Sequence, residues 1–178
     1  MKQSAIITAA LVAYAAAEVP QEQSHRFLLT ATQELLAIDN PLEIVDPVFG
    51  LLGNAAAEEG AGLVTNLDCL HQITADQAFT NALTLTDETE RINGLATALL
   101  FRAIERNTGE VGLASVLCDE VAENPEIAAL TQHQDPAAEG AQELNKQITL
   151  ELAVQLASVG ADPTLALLAG TFAPGEVS

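Results

Sequence analysis

Chemistry in this chain would have to come from three histidines, two cysteines and a surplus of carboxylates. His25, His71 and His133 fall on three different predicted helices, so a metal centre would require the fold to gather them from separate elements. Surface or helix-terminal positions are expected for all three, and His133 would face the negative pole of its helix. The pairs Glu58/Glu59, Asp87/Glu88 and Asp119/Glu120 offer acid and base groups, but neighbours on a helix point about 100° apart. Acid–base hydrolysis needs two carboxyls converging on a cleft, with one pKa moved by burial. Sugar-cleaving sites also favour aromatic platforms, and the chain has no Trp, one Tyr and five Phe. A calcium loop, a G-x-S-x-G elbow and a phosphate-binding glycine loop are all missing from the sequence. No catalytic, cofactor-binding or metal-ligating residue is assigned, and the expectation is a non-enzyme.

Cys69 and Cys118 are the whole supply of thiols. An oxidising compartment would join them in one internal disulfide, closing a loop whose restraint is worth roughly 4 kcal/mol on chain-entropy grounds. An intermolecular bridge and two buried free thiols are the alternatives. Neither cysteine lies in a C-x-x-C motif, which argues against redox or nucleophilic use.

The elements that would position these residues read as helices. Ala and Leu supply 58 of 178 residues, and β-branched and aromatic residues never alternate over a useful length. Five Asx-Pro dipeptides, at Asn40, Asp46, Asn124, Asp135 and Asp162, mark helix starts, because the Asx oxygen caps a first turn whose proline has no N–H to lose. Thr74…Gln77 and Asp87…Glu90 have capping-box spacing. Glycines at 53, 109, 160 and 170 suit helix ends. These signals predict helices over 25–38, 41–53, 66–83 with a break at Thr74, 87–107, 111–122, 125–133, 136–159 and 163–169. The run from Ala55 to Gly62 reads as a loop or a frayed helix end.

Two apolar stripes carry most weight. Ile92, Leu95, Ala96, Leu99, Leu100, Ala103 and Ile104 form one, with Asp87, Glu88 and Glu90 in its first turn and Arg102 and Arg106 near its last. Leu144, Ile148, Leu152, Leu156 and Val159 form the other. The expectation is an all-α, single-domain bundle of seven or eight helices built on this pair, with the disulfide joining two of its helices.

The N-terminus, Met1-Lys2-Gln3-Ser4 followed by the apolar run Ala5–Ala13 and the small residues Ala15-Ala16-Ala17, has the form of a signal peptide cleaved after Ala17. A membrane anchor is the alternative, although the run is shorter than the ~20 residues a spanning helix needs. Removal of residues 1–17 leaves twenty-five carboxylates against Arg26, Arg91, Arg102, Arg106 and Lys146, a strongly negative field that repels nucleic acids and anionic membranes. No Asn-x-Ser/Thr sequon is present.

The segments Asp135-Pro136-Ala137-Ala138-Glu139-Gly140, Gly160-Ala161-Asp162-Pro163-Thr164-Leu165 and Gly170-Thr171-Phe172-Ala173-Pro174-Gly175 resemble those of a family of secreted fungal Ala-rich helical proteins. The resemblance implies a small extracellular or cell-wall-associated protein and supplies no catalytic residues. Many of those proteins continue beyond the Ala-Pro-Gly segment with further cysteines. The expected function is therefore that of a secreted, effector-like or cell-wall interaction protein with an extracellular partner. A carrier holding a small apolar ligand, lipid or sterol, in the helical core is the alternative.

Overall fold

In the computed structural model, residues 21–171 are described, and the segment read as a leader lies outside them. Among the described residues there is no strand. Seven α-helices, α1 (Gln21–Ser24), α2 (Arg26–Leu36), α3 (Asn54–Ala57), α4 (Leu70–Leu83), α5 (Glu88–Ala103), α6 (Pro125–Ala128) and α7 (Ala141–Ser158), are interleaved with 3-10 turns at Pro47–Leu51, Glu58–Gly60, Leu67–Cys69 and Pro163–Ala169.

α5 begins as its sequence requires. Asp87 Oδ1 accepts the Glu90 N–H at 2.9 Å, and Glu88 and Glu90 sit at the positive pole of the dipole. Its last turns are buried all round, Ala98 through Ala103, which makes α5 the axis of the fold. Its most extensive partner is α4, with α2 and α7 against its other sides. The sequence-based pairing of α5 with α7 thus gives way to α4 with α5. A Cβ added at Gly94 would lie 2.9 Å from Ala82 Cβ, so glycine is what lets these two helices approach. α7 buries Ile148, Leu152 and Leu156 but leaves Leu144 exposed, and it packs on α5 and on the Pro163–Ala169 turn. It closes through Gly160, at φ 84°.

The Asx-Pro signals are real, but most initiate turns that do not propagate. Asp46 Oδ1 and Asp162 Oδ1 cap 3-10 turns through the Val48 and Thr164 N–H groups at 2.8 and 2.9 Å. Asp135 Oδ1 takes the Ala137 N–H at 2.8 Å and Asn40 Oδ1 the Ile44 N–H at 3.1 Å, each without a helix behind it. The helices expected over 41–53, 125–133 and 136–159 therefore shrink to Pro47–Leu51, Pro125–Ala128 and Ala141–Ser158. Thr74 is no break: it lies inside α4 and its hydroxyl donates to Leu70 O at 2.7 Å. The run from Ala55 to Gly62, expected as a loop or a frayed helix end, holds most of α3 and a 3-10 turn, with Ala57, Gly60 and Ala61 buried. Its small side chains pack with Leu36, Ile44, Val64 and Leu70 in a second apolar cluster beside the main core.

Candidate functional site

The disulfide forms between Cys69 and Cys118, with an S–S distance of 2.04 Å. Cys69 stands at the entrance to α4, as expected, but Cys118 does not lie on a helix. Residues 104–124 form an irregular strap across one side of the molecule, which corrects the helix expected over 111–122 and the end of α5 at 107. The reason lies in what captures its backbone. The Gly112 N–H donates to Asp135 Oδ2, and the Ser115 N–H donates to Gln134 Oε1 at 2.7 Å. Val116 O accepts from Gln132 Nε2 at 2.8 Å and Glu120 O from Gln72 Nε2 at 2.8 Å. The Glu123 and Asn124 N–H groups donate to the two Asp76 carboxylate oxygens at 2.7 and 3.0 Å. Donors and acceptors that would build a helix are thus spent on distant side chains. With the backbone turned inward, Val111, Leu113, Val116, Leu117 and Val121 project outward, Val121 being 87 % exposed.

The side chains that hold the strap belong to a polar network inside the molecule. Gln132, His133, Gln134 and Asp135 are four consecutive buried polar residues. All three histidines are buried too, at 2, 1 and 1 % exposure for His25, His71 and His133: of the surface or helix-terminal positions expected, the surface one fails for all three, while His25 does stand at the N-cap of α2 and His71 does lie in the first turn of α4. Two of them serve the C-terminal end of α5, whose last carbonyls have no partner within the helix. His71 Nε2 donates to Phe101 O at 2.7 Å, and its ring meets the Phe101 ring edge-on with centroids 4.8 Å apart. His133 Nδ1 donates to Ala103 O at 2.6 Å, beside the His133 N–H on the same oxygen, and its Nε2 lies 2.9 Å from Thr149 Oγ1. His25 Nε2 donates to Gly170 O at 3.2 Å and its Nδ1 lies 3.0 Å from Ser24 Oγ.

Burial lowers the pKa of each imidazole, most strongly for His71, where the Arg102 charge pushes in the same direction. These are structural, neutral rings: every nitrogen but His71 Nδ1 is engaged by a carbonyl or a hydroxyl. Glu22-Gln23-Ser24-His25 does have the Glu-x-x-His spacing of a carboxylate–imidazole metal pair. The Glu22 carboxylate, however, accepts from Asn107 Nδ2 at 2.6 Å, while the His25 ring is engaged as above.

Arg102 and Arg106, expected near the last turn of the helix as complements to its dipole, are interior; Arg102 does lie in that turn, and Arg106 follows it. Arg102 donates to Gln132 Oε1 and Gln72 Oε1, both at 3.0 Å. Burial, and then the charge of Arg106, bring its pKa down to about 10 against the opposing pull of Asp76. Arg106 reaches Leu52 O, Asn54 Oδ1, Asp68 O and Val116 O at 3.1 to 3.4 Å. One guanidinium thereby ties the strap to α3 and to the entrance of α4.

In none of the carboxylate pairs do both members converge on one cleft. Asp119 Oδ1 and Glu120 Oε1 both accept from Asn66 Nδ2, at 3.1 and 2.6 Å. Asp87 caps α5, and Glu58 and Glu59 are exposed on their turn. Asp119 does lie with Cys69 and Cys118 in a group compact enough for a metal ion, but both sulfurs are consumed in the disulfide and offer no thiolate.

No protein-family model matches the chain, and neither a curated protein nor a solved structure matches it. The geometry is then the guide: a disulfide-pinned strap with outward apolar side chains is the candidate functional surface. Sequence reasoning found the disulfide but missed the strap. The signal available was the polar run Gln132–Asp135, too rich in hydrogen-bonding groups for an Ala/Leu helix.

Proposed function

We propose that the chain is an exported, non-catalytic interaction protein of the extracellular space, acting at a cell wall or on a neighbouring cell. The observation that carries this reading is the strap. Five exposed aliphatic side chains lie within eleven residues on a backbone fixed by a disulfide and by side-chain hydrogen bonds, which holds them ready for an apolar partner. The N-terminal apolar run, the disulfide and the resemblance of residues 135–175 to secreted fungal Ala-rich proteins support the extracellular setting. No helix among the described residues is long and apolar enough to cross a membrane.

The test has two parts. Secreted from a eukaryotic host, the product should have the mass of a chain beginning at Glu18, two hydrogens below its reduced mass. It should be retained on an insoluble cell-wall fraction without degrading it, and Leu113→Asp with Leu117→Asp should abolish retention while leaving circular dichroism unchanged. Retention of residues 1–17 in the released product, or turnover of wall polysaccharide or protein, would overturn the reading.

A further inference from the structure

Where the strap crosses α4 it leaves an open groove of about 440 Å³, within the roughly 300–1,000 Å³ range of ligand clefts. Leu42 and Ile73, both partly buried against the second apolar cluster, give it an apolar lining. Asp76, Glu120 and Glu123 add three carboxylates, Val121 stands exposed beside them, and among the described residues no Lys or Arg lines it. We propose that this groove receives an extended basic segment of a partner protein, seating one aliphatic side chain against Leu42, Ile73 and Val121 while flanking lysines or arginines meet Glu120 and Glu123. The proposal deepens the interaction-protein reading and rests on it.

Three observations fix the occupant. Charge complementarity requires a cation, since the groove presents three carboxylates on a chain of net charge −19. A second copy would bring the same negative field, and two of its five arginines and lysines beyond residue 17, Arg102 and Arg106, are buried. The neighbouring main-chain groups are also engaged, Glu120 O by Gln72 and the Glu123 N–H by Asp76. The strap therefore has little free edge for strand pairing at these positions, and side chains must do the recognising. Glu120 and Val121 stand between two anchors, the Cys118 disulfide and the Asp76 clamp on residues 123 and 124, and Glu123 belongs to that clamp. That fixes the rim before a partner arrives and lowers the ordering cost of binding.

The probe is a fluorescein-labelled octapeptide of alternating lysine and leucine, titrated with the oxidised protein in 150 mM salt and read by anisotropy. A lysine–serine peptide of equal charge is the control. The lysine–leucine peptide should bind more tightly than its control, and Glu120→Gln with Glu123→Gln should weaken it roughly five- to tenfold. Glu139→Gln with Glu143→Gln removes the same charge from exposed positions that do not line the groove, and should change binding less than twofold. Val121→Asp adds negative charge yet removes the apolar rim, so binding should weaken; its fold is checked by circular dichroism.

Equal losses from both glutamate pairs, or tighter binding by Val121→Asp, would reduce the effect to the overall field and overturn the proposal. So would indifference to the leucines, absence of binding, or a dimer in sedimentation velocity that Val121→Asp dissociates. Wall retention that survives any of these outcomes would leave the broader functional reading standing and remove the groove alone.

Discussion

Arg102 carries its charge into the interior, 2 % exposed, and rests on two glutamine oxygens supplied by α4 and by the segment after α6. Neutral carbonyls compensate a guanidinium less fully than a carboxylate does, and the lowered pKa of about 10 expresses that cost. The same residue is nevertheless what Gln72 and Gln132 are arranged around, and each of those amides passes a second bond to the strap, at Glu120 O and Val116 O. Removing the cation would strand both amide oxygens and open a void. Arg102→Ala should therefore lower unfolding free energy by roughly 3 kcal/mol, read from urea midpoints at constant m-value. A loss below about 1 kcal/mol would show that the network reorganises around neutral groups. His71 belongs to the same economy of buried polar atoms, with Nε2 bonded to Phe101 O and Nδ1 facing no partner.

At the scale of elements the strap is the part most dependent on others. Cys118 is its covalent anchor, at a separation of 49 residues from Cys69, and the closure is worth roughly 4 kcal/mol on chain-entropy grounds. In Cys118→Ala, hydrogen exchange should speed up at the Gly112, Ser115 and Glu123 amides, while the α5 amides keep their order of protection. Unchanged exchange at Ser115 would mean that the side-chain bonds alone hold the strap. This dependence also explains what the sequence could disclose. α5 was legible because its cap, charge gradient and apolar stripe all lie within one local stretch, from Asp87 to Ala103. The Cys69–Cys118 pairing was legible because two cysteines allow one internal partner. The strap was not, since Val111–Val121 has helix-compatible composition and is held out of a helix by Asp76, Gln72, Gln132, Gln134 and Asp135, all remote in the chain. The burial of His71 and His133 was missed for a related reason: the carbonyls they serve, at Phe101 and Ala103, lie 30 residues away. Asx-Pro pairs announced turns correctly, but a first turn is common to 3-10 and α geometry and does not say whether the helix goes on.

For the whole molecule, the buried imidazoles and the acidic surface pull stability in opposite directions as pH changes. His25, His71 and His133 all have folded pKa values below the ordinary 6.5. Above that value they are neutral in both states and their contribution is complete. As pH falls below 6.5 the unfolded chain takes up protons that the native chain refuses, so stability declines toward and through the lowered folded values. Three such groups set an upper slope of about 4 kcal/mol per pH unit. The net charge of −19 works the other way, because protonating carboxylates relieves self-repulsion, but that relief belongs mainly near pH 4. Between pH 7.5 and 5.5 the histidines should dominate, and the melting temperature should fall. His133→Gln should flatten that fall even though it costs stability at pH 7.5, since glutamine takes up no proton in either state. A melting temperature that stays level or rises as pH falls across this interval would mean that surface charge governs the molecule already at neutral pH. The buried rings would then contribute packing and hydrogen bonds without setting its acid limit.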